Sequence, residues 1–185
     1  MGTLDNIQHV FVLMLENRSF DSLLGTLYPK SDGFNGLSGT ESNPDVDGTP
    51  VPVWTGGDGT PMNIPDPDPG ELWSDINTQL FGQPDAPDPS LAPTMNGFVL
   101  NYQNQAKQSS VGYIANRVMH HYSPEQVPVI SALARQFAVS DCWHASAPCQ
   151  TWPNRFFVHT GTANGYENNS PAHVSYEMPT IFSPF

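Results

Sequence analysis

An α/β fold is the class this 185-residue chain predicts, on three observations. Val10-Phe11-Val12-Leu13-Met14-Leu15 is an unbroken apolar run rich in β-branched and aromatic residues, which reads as a strand buried on both faces. Apolar residues at helical spacing recur further along the chain. After one such stretch, Phe137-Ala138-Val139 reads as a second short buried strand. Strand and helix alternating in this way point to a sheet covered by helices.

The first strand ends at Glu16-Asn17, and Phe20, Leu23 and Leu24 then give a short helical pattern. Ligands of open α/β sheets bind at the carboxyl ends of strands, so this carboxylate and amide are candidate oxygen donors to a hard cation. The alternative is a helix cap, with Asn17 accepting an N–H bond and Glu16 favoured by the positive helix end.

Residues 29–97 are loop-rich. Twelve of the nineteen prolines lie between Pro29 and Pro93, and Gly56-Gly57-Asp58-Gly59 and Pro65-Asp66-Pro67-Asp68-Pro69-Gly70 are turn chemistry. Loops of this length are active-site covers or partly disordered. One helix is expected inside it around Glu71–Leu80, from the four-residue spacing of Leu72, Ile76 and Leu80.

The remainder is more regular. Gly112–His121 reads as helix, with Ile114 and Val118 on one face. Ser123-Pro124-Glu125-Gln126 resembles a capping box for a helix carrying Val127, Ile130, Ala134 and Phe137, and Pro128 would shift its start or kink its first turn. Pro153 opens a helix through Arg155, Phe156, Phe157 and Thr160 that ends near Gly161, and Met178–Phe182 reads as the beginning of another.

A net charge of -12 argues against nucleic acid and anionic lipid surfaces as electrostatic partners. Eleven of the eighteen acidic residues fall in the loop zone, and no Lys or Arg lies between Ser31 and Ala106. A phosphate-bearing substrate stays compatible, because a metal ion inverts the local field. The two cysteines, Cys142 and Cys149, read as unpaired thiols. No basic region precedes the apolar run, which is short and stopped by Glu16, so neither a signal peptide nor a transmembrane segment is read. The expectation is a cytoplasmic protein unless the N-terminus is truncated.

Thr151-Trp152-Pro153-Asn154-Arg155 is the second polar cluster. Unpaired N–H groups and the helix dipole favour an anion at such a helix start. A threonine oxygen there, ionised by a nearby metal, could attack phosphorus. Asn154 and Arg155 are candidates to contact phosphate, or else a first-turn Asn and a structural Arg. His144, in the loop approaching Thr151, is a further candidate for the pocket, while Asp141 supports the site or forms a turn. The six histidines make no zinc spacing; His120-His121 reads as a solvated helix end, and His159 as packing or capping.

Glu16-Asn17-Arg18-Ser19-Phe20-Asp21 resembles the opening motif of the phosphoesterase family that contains bacterial and plant non-specific phospholipases C and certain acid phosphatases. Thr151-Trp152-Pro153-Asn154-Arg155 is similar to that family's nucleophile motif, in which Thr or Ser precedes Pro-Asn-Arg. Ser123-Pro124-Glu125-Gln126 and Ser131-Ala132-Leu133-Ala134 also look familial, so the resemblance spans most of residues 7–182. It implies an alkaline-phosphatase-like three-layer sandwich and metal-dependent hydrolysis of phosphate-ester or phospholipid substrates. By this match Glu16, Asn17 and Thr151 would hold one divalent metal ion. Thr151 would also be the nucleophile that forms a covalent phospho-enzyme.

Two departures accompany the resemblance. Asp68-Pro69-Gly70-Glu71 stands where phospholipases of the family often carry Asp-Pro-Gly-His, placing a carboxylate in the position of a phosphate-assisting histidine. No Asp-Asp pair, which the family uses to complete its metal site, occurs in these residues. The expectation is that residues 1–185 are the N-terminal part of a single phosphoesterase domain, with 29–97 a loop-rich insertion. Two alternatives to a phospholipase C stand beside it: an acid phosphatase acting on soluble monoesters, and an inactive fragment or binding module.

Overall fold

The computed structural model describes residues 6–31, 33–54, 65, 67–85, 90–106, 115–169 and 176–183. Ser19 opens the first regular element: its backbone is extended and its hydroxyl accepts the Ser22 N–H at 3.1 Å, so α1 runs Phe20–Leu24. Leu24 is buried with Leu27, Phe34 and Ala134, and Phe20, Leu23, Ile130 and Val139 pack around them. The Phe34 ring meets those of Phe20 and Tyr28 edge-on, at 5.7 and 5.3 Å. This small core joins α1 to α4 (Pro128–Gln136), which Val127 precedes as N-cap with Pro128 at the first position. The capping-box residues lie upstream as a separate turn, where Ser123 N–H donates to the Gln126 side chain at 2.9 Å. Pro128 shifts the helix start, as its missing N–H requires.

The loop zone contains a hairpin and a helix. β1 (Ser42–Pro44) and β2 (Pro50–Pro52) pair antiparallel, with Asn43 opposite Val51. The expected helix is α2 (Trp73–Phe81), where Asp75 at the third position accepts the Leu72 N–H at 3.0 Å and Gly82 closes the end with φ +75°. α3 (Phe98–Ala106) packs on α2, with Val99 and Tyr102 fully buried. Asp75 ties the two helices by accepting from Asn101 at 2.9 Å and Gln105 at 2.7 Å. Buried Asn43 joins β1 to α3, donating to the Met95 carbonyl and accepting the Val99 N–H. A 3-10 helix (Ala115–Met119) follows; residues 112–114 of the helix expected at Gly112–His121, like the Gly56–Gly59 turn, lie outside the described residues. α5 runs Thr151–Thr160 and ends at Gly161, φ +73°, as its sequence signals predict.

Three expectations are corrected. Val10–Leu15 is not a strand: it has no regular structure, and Phe11 is 95% and Leu13 83% exposed. A parallel strand depends on partners distant in sequence, and among the described residues the one sheet is the two-stranded β1–β2 pair. Phe137–Val139 is not a strand either. Phe137 caps α4 through its N–H to the Leu133 carbonyl and is 79% exposed, while Val139 turns back onto the core. Met178–Phe182 holds only a turn at its end, tethered to α5 by the Ile181 N–H on the His159 carbonyl at 2.8 Å. The described architecture is a mixed α/β arrangement of short helices around a small antiparallel sheet.

Candidate phosphoester site

The six residues from Glu16 to Asp21 divide their work. Asn17 takes a left-handed backbone conformation, φ +68°, which Asn tolerates better than most residues. Arg18 lies over the Tyr122 ring, 5.5 Å from its centroid. Ser19 is the cap of α1, so the cap reading of Asn17 is replaced by a cap two residues later. Phe20 packs into the core. Burial, and then the neighbouring Glu41 charge, push the Asp21 carboxyl above the usual range, against the opposing pull of Lys30 and His121. Tyr122 N–H donates to the Ser22 carbonyl at 2.7 Å, anchoring the loop after the 3-10 helix onto α1.

The second motif forms the first turn and a half of α5. Gln150 is the N-cap, Thr151 the first helical residue and Pro153 the third, still within the turn that tolerates proline. The Trp152 N–H is committed to the Asn169 side chain at 2.8 Å, and Asn169 N–H in turn donates to the Gln150 side chain at 2.7 Å. Pro153 has no N–H, so the anion cradle this helix start offers narrows to Thr151. Phe156, Tyr166 and Tyr176 brace the helix, with ring centroids 4.7 to 6.4 Å apart.

Arg155 brings the two motifs together. Its Nε donates to Glu16 Oε2 at 2.5 Å, a contact across 139 residues of sequence. Thr151 and Arg155 are four residues apart on α5 and therefore share a face, so Glu16 is drawn to the helix face that carries Thr151. Thr151 is half-buried, and Glu16 and Asn17 are exposed.

Asn154 and His144 form a separate group. They line a cavity of about 330 Å³ with Ile76 and Leu80 of α2 and with Ser146 and Cys149; Glu16 and Arg155 are not among its lining residues. The Asn154 amide is used by the backbone: it donates to the carbonyls of Cys149 at 2.8 Å and Ala147 at 3.2 Å, and accepts the Ala147 N–H. It thereby holds the loop that delivers the chain to Thr151. His144 is exposed. Asp141 accepts the Asn35 N–H at 2.7 Å and, with the Cys142 thiol, is held below the usual carboxylate range. Both thiols are free; burial raises that of Cys149, and the Asp141 hydrogen bond raises that of Cys142.

Carboxylate, amide and hydroxyl oxygens at Glu16, Asn17 and Thr151 suit a hard divalent cation in kind. Glu16 already faces a cationic partner, the Arg155 guanidinium. In number the donors fall short of the six or more such ions take, and among the described residues no group of three His, Cys, Asp or Glu side chains could hold a metal. Sequence reasoning found both motifs and missed their link; an Arg one helical turn beyond the Thr was the available signal.

The Phosphoesterase family model matches residues 7–183. Among curated relatives, non-specific phospholipase C1 of Arabidopsis thaliana is 38% identical over 180 residues, covering 95% of this chain and 32% of its own length. Non-specific phospholipase C3 of the same plant is 39% identical over 185 residues, with 95% and 34% covered. The non-hemolytic phospholipase C of Pseudomonas aeruginosa is 26% identical over 200 residues, with 97% and 25% covered. The chain thus spans about a third of the length of the plant relatives.

Proposed function

Because the chain belongs to the Phosphoesterase family, we propose that it contributes the nucleophile and the first cation donors of a metal-dependent phosphoesterase of the phospholipase C type. The observation that carries this reading is the Arg155–Glu16 contact, which joins motifs 139 residues apart on one helix face. Thr151 Oγ1 attacks phosphorus; the new O–P bond replaces the ester P–O bond, and the departing alcohol leaves with a proton. Water then attacks the phosphothreonine and regenerates the hydroxyl, releasing phosphate or a phosphorylated head group. A divalent cation held by Glu16, Asn17 and Thr151 would favour the ionised threonine and offset charge on the phosphoryl oxygens. The residues' own part is to place the hydroxyl at the helix start and fix the approaching loop through Asn154.

The reading extends to the fold. Val10–Leu15, which has no regular structure here, would become a central strand of an alkaline-phosphatase-like three-layer sandwich in a protein of the relatives' full length, of which this chain matches about a third. Its near-continuous apolar character supports this.

Thr151→Ala is the test, made in the longest native protein that contains these residues. Hydrolysis of phosphatidylcholine vesicles and of a small aryl phosphate should both fall at least about a thousandfold, as for loss of other covalent nucleophiles. Retained turnover would remove Thr151 from the mechanism. Activity on the aryl phosphate alone would favour the acid-phosphatase alternative.

A further inference from the structure

We infer that the cavity of about 330 Å³ beside the start of α5 is the pocket for the aliphatic part of the substrate's departing alcohol, an uncharged alkyl chain such as the apolar portion of an acylglycerol. The inference rests on Thr151 as the group that attacks phosphorus, as proposed above, and on no bound ion. Three observations carry it. The first is position. Cys149 and Asn154 line the cavity, and Thr151 lies between them in sequence, two residues from Cys149. Two residues of chain span at most about 7 Å, so a group bound against Cys149 lies close to a phosphorus held at the Thr151 hydroxyl.

The second is the wall that α2 presents. Ile76 and Leu80 are one turn apart on α2 and share a face. The buried residues of α2 are instead the polar Asn77 and Thr78, while Asp75 and Gln79 join α2 to α3 through Asn101. The apolar pair of α2 is turned to the cavity, where Ile76 and Leu80 stay half-buried in a lining shared with Ala147 and Pro148. The third is chemistry. Among the described residues that line the cavity there is no Asp, Glu, Lys or Arg, and no Phe, Tyr or Trp ring. A phosphate would lack a cation there, and a choline-type head group would lack the carboxylate or aromatic cage that holds quaternary ammonium. The Asn154 amide is taken by the backbone of Ala147 and Cys149. Burial keeps the Cys149 thiol protonated, so it behaves as a small apolar group. Of the two ester substituents on phosphorus, the cavity therefore suits the uncharged one. Its volume lies at the small end of ligand sites, which run from about 300 to 1,000 Å³, and exceeds the roughly 150 Å³ that holds a benzene ring. A short chain fits, and a whole lipid does not.

Methyl-labelled NMR of the wild-type chain tests the pocket. Titration with n-alkanols from butanol to octanol should move the Ile76 and Leu80 methyl signals along saturating curves, with affinity rising about two- to fourfold per methylene until the cavity is full. The exposed Leu13 and Leu133 methyls should not saturate with them. Choline and inorganic phosphate should leave the Ile76 and Leu80 signals in place. Ile76→Ala strips the wall, and Ser146→Phe fills space from an exposed position; each should weaken hexanol binding at least about threefold. Unmoved Ile76 and Leu80 signals overturn the inference. So does saturation of Leu13 or Leu133 at the same affinity, which would mean adsorption to exposed apolar surface. Hexanol affinity unchanged in both variants overturns it as well. The assignment to the departing alcohol is read from turnover of n-alkyl phosphates and n-alkyl phosphocholines by the longest native protein that contains these residues, where kcat/KM should climb with chain length by the same factor. Turnover that is lost in Thr151→Ala yet indifferent to chain length overturns the pocket and leaves the phosphoesterase reading intact. Turnover retained in Thr151→Ala removes the nucleophile, and with it the assignment to the alcohol, whatever the titrations show.

Discussion

Glu41 illustrates how much a single carboxylate organises in a chain with few cations. It accepts the N–H and hydroxyl of Ser38, at 2.8 and 2.7 Å, and the Gly39 N–H at 3.0 Å, with Lys30 3.5 Å away. Burial opposes the charged form, but these hydrogen bonds outweigh it and hold the group at about 2, well below its ordinary 4.5. A carboxylate lowered in the folded state stabilises above its unfolded pKa, and that contribution is lost as pH falls from 4.5 through about 2. The full linkage would be about 3 kcal/mol; because the site faces water, about 1 kcal/mol is the expected effect. Glu41→Gln should therefore lower stability by about 1 kcal/mol at pH 7, with the difference from wild type closing between pH 4.5 and 2 in urea titrations. A difference independent of pH would mean that the charge contributes nothing.

Among elements, the α2–α3 pair depends on backbone proximity as much as on side chains. Gly97, just before α3, donates its N–H to the Gln79 carbonyl at 3.0 Å, and a Cβ there would lie 1.6 Å from the Thr78 carbonyl oxygen. The atom it meets is backbone, so relief requires the helices to separate. Gly97→Ala should cost about 2–4 kcal/mol by overpacking, measured as a shifted unfolding midpoint; a loss below about 0.5 kcal/mol would mean that the helices are not held at this spacing. Helices α1, α2, α4 and α5 were legible because their signals are local, whereas α3 was not read from the sequence. Leu72, Ile76 and Leu80 marked α2, and Pro153 and Gly161 framed α5. The strands at Val10–Leu15 and Phe137–Val139 were misread because a strand is defined by a partner, and no local pattern supplies one. The site divides the same way. Glu16, Asn17 and Thr151 stood out from their motifs, whereas the contact through Arg155 and the use of Asn154 by its own loop are tertiary facts.

At the scale of the molecule, apolar surface is distributed unlike that of a typical soluble monomer. α4 buries Ala134 and turns Ile130 inward, yet Val129, Leu133 and Phe137, four residues apart, form a second apolar stripe facing outward. Val10, Phe11, Val12, Leu13 and Leu15 add an exposed run beside the site, and Trp143 is exposed next to the cavity-lining His144. Contiguous exposure of this kind marks a surface that another segment or partner covers. If Val10–Leu15 is a central strand of the proposed sandwich, its amides change state with the neighbours present. In this chain they should exchange with deuterium at near the unprotected rate, because no backbone partner holds them among the described residues. In a protein of the relatives' full length they should be among the slowest, protected at close to the global unfolding free energy, while α1 amides are protected in both. The same comparison reports on the site, since Glu16 directly follows the run and an ordered strand would fix the carboxylate against α5. Slow exchange at 10–15 in this chain would show that the run is already paired here; fast exchange in both proteins would remove it from the sheet.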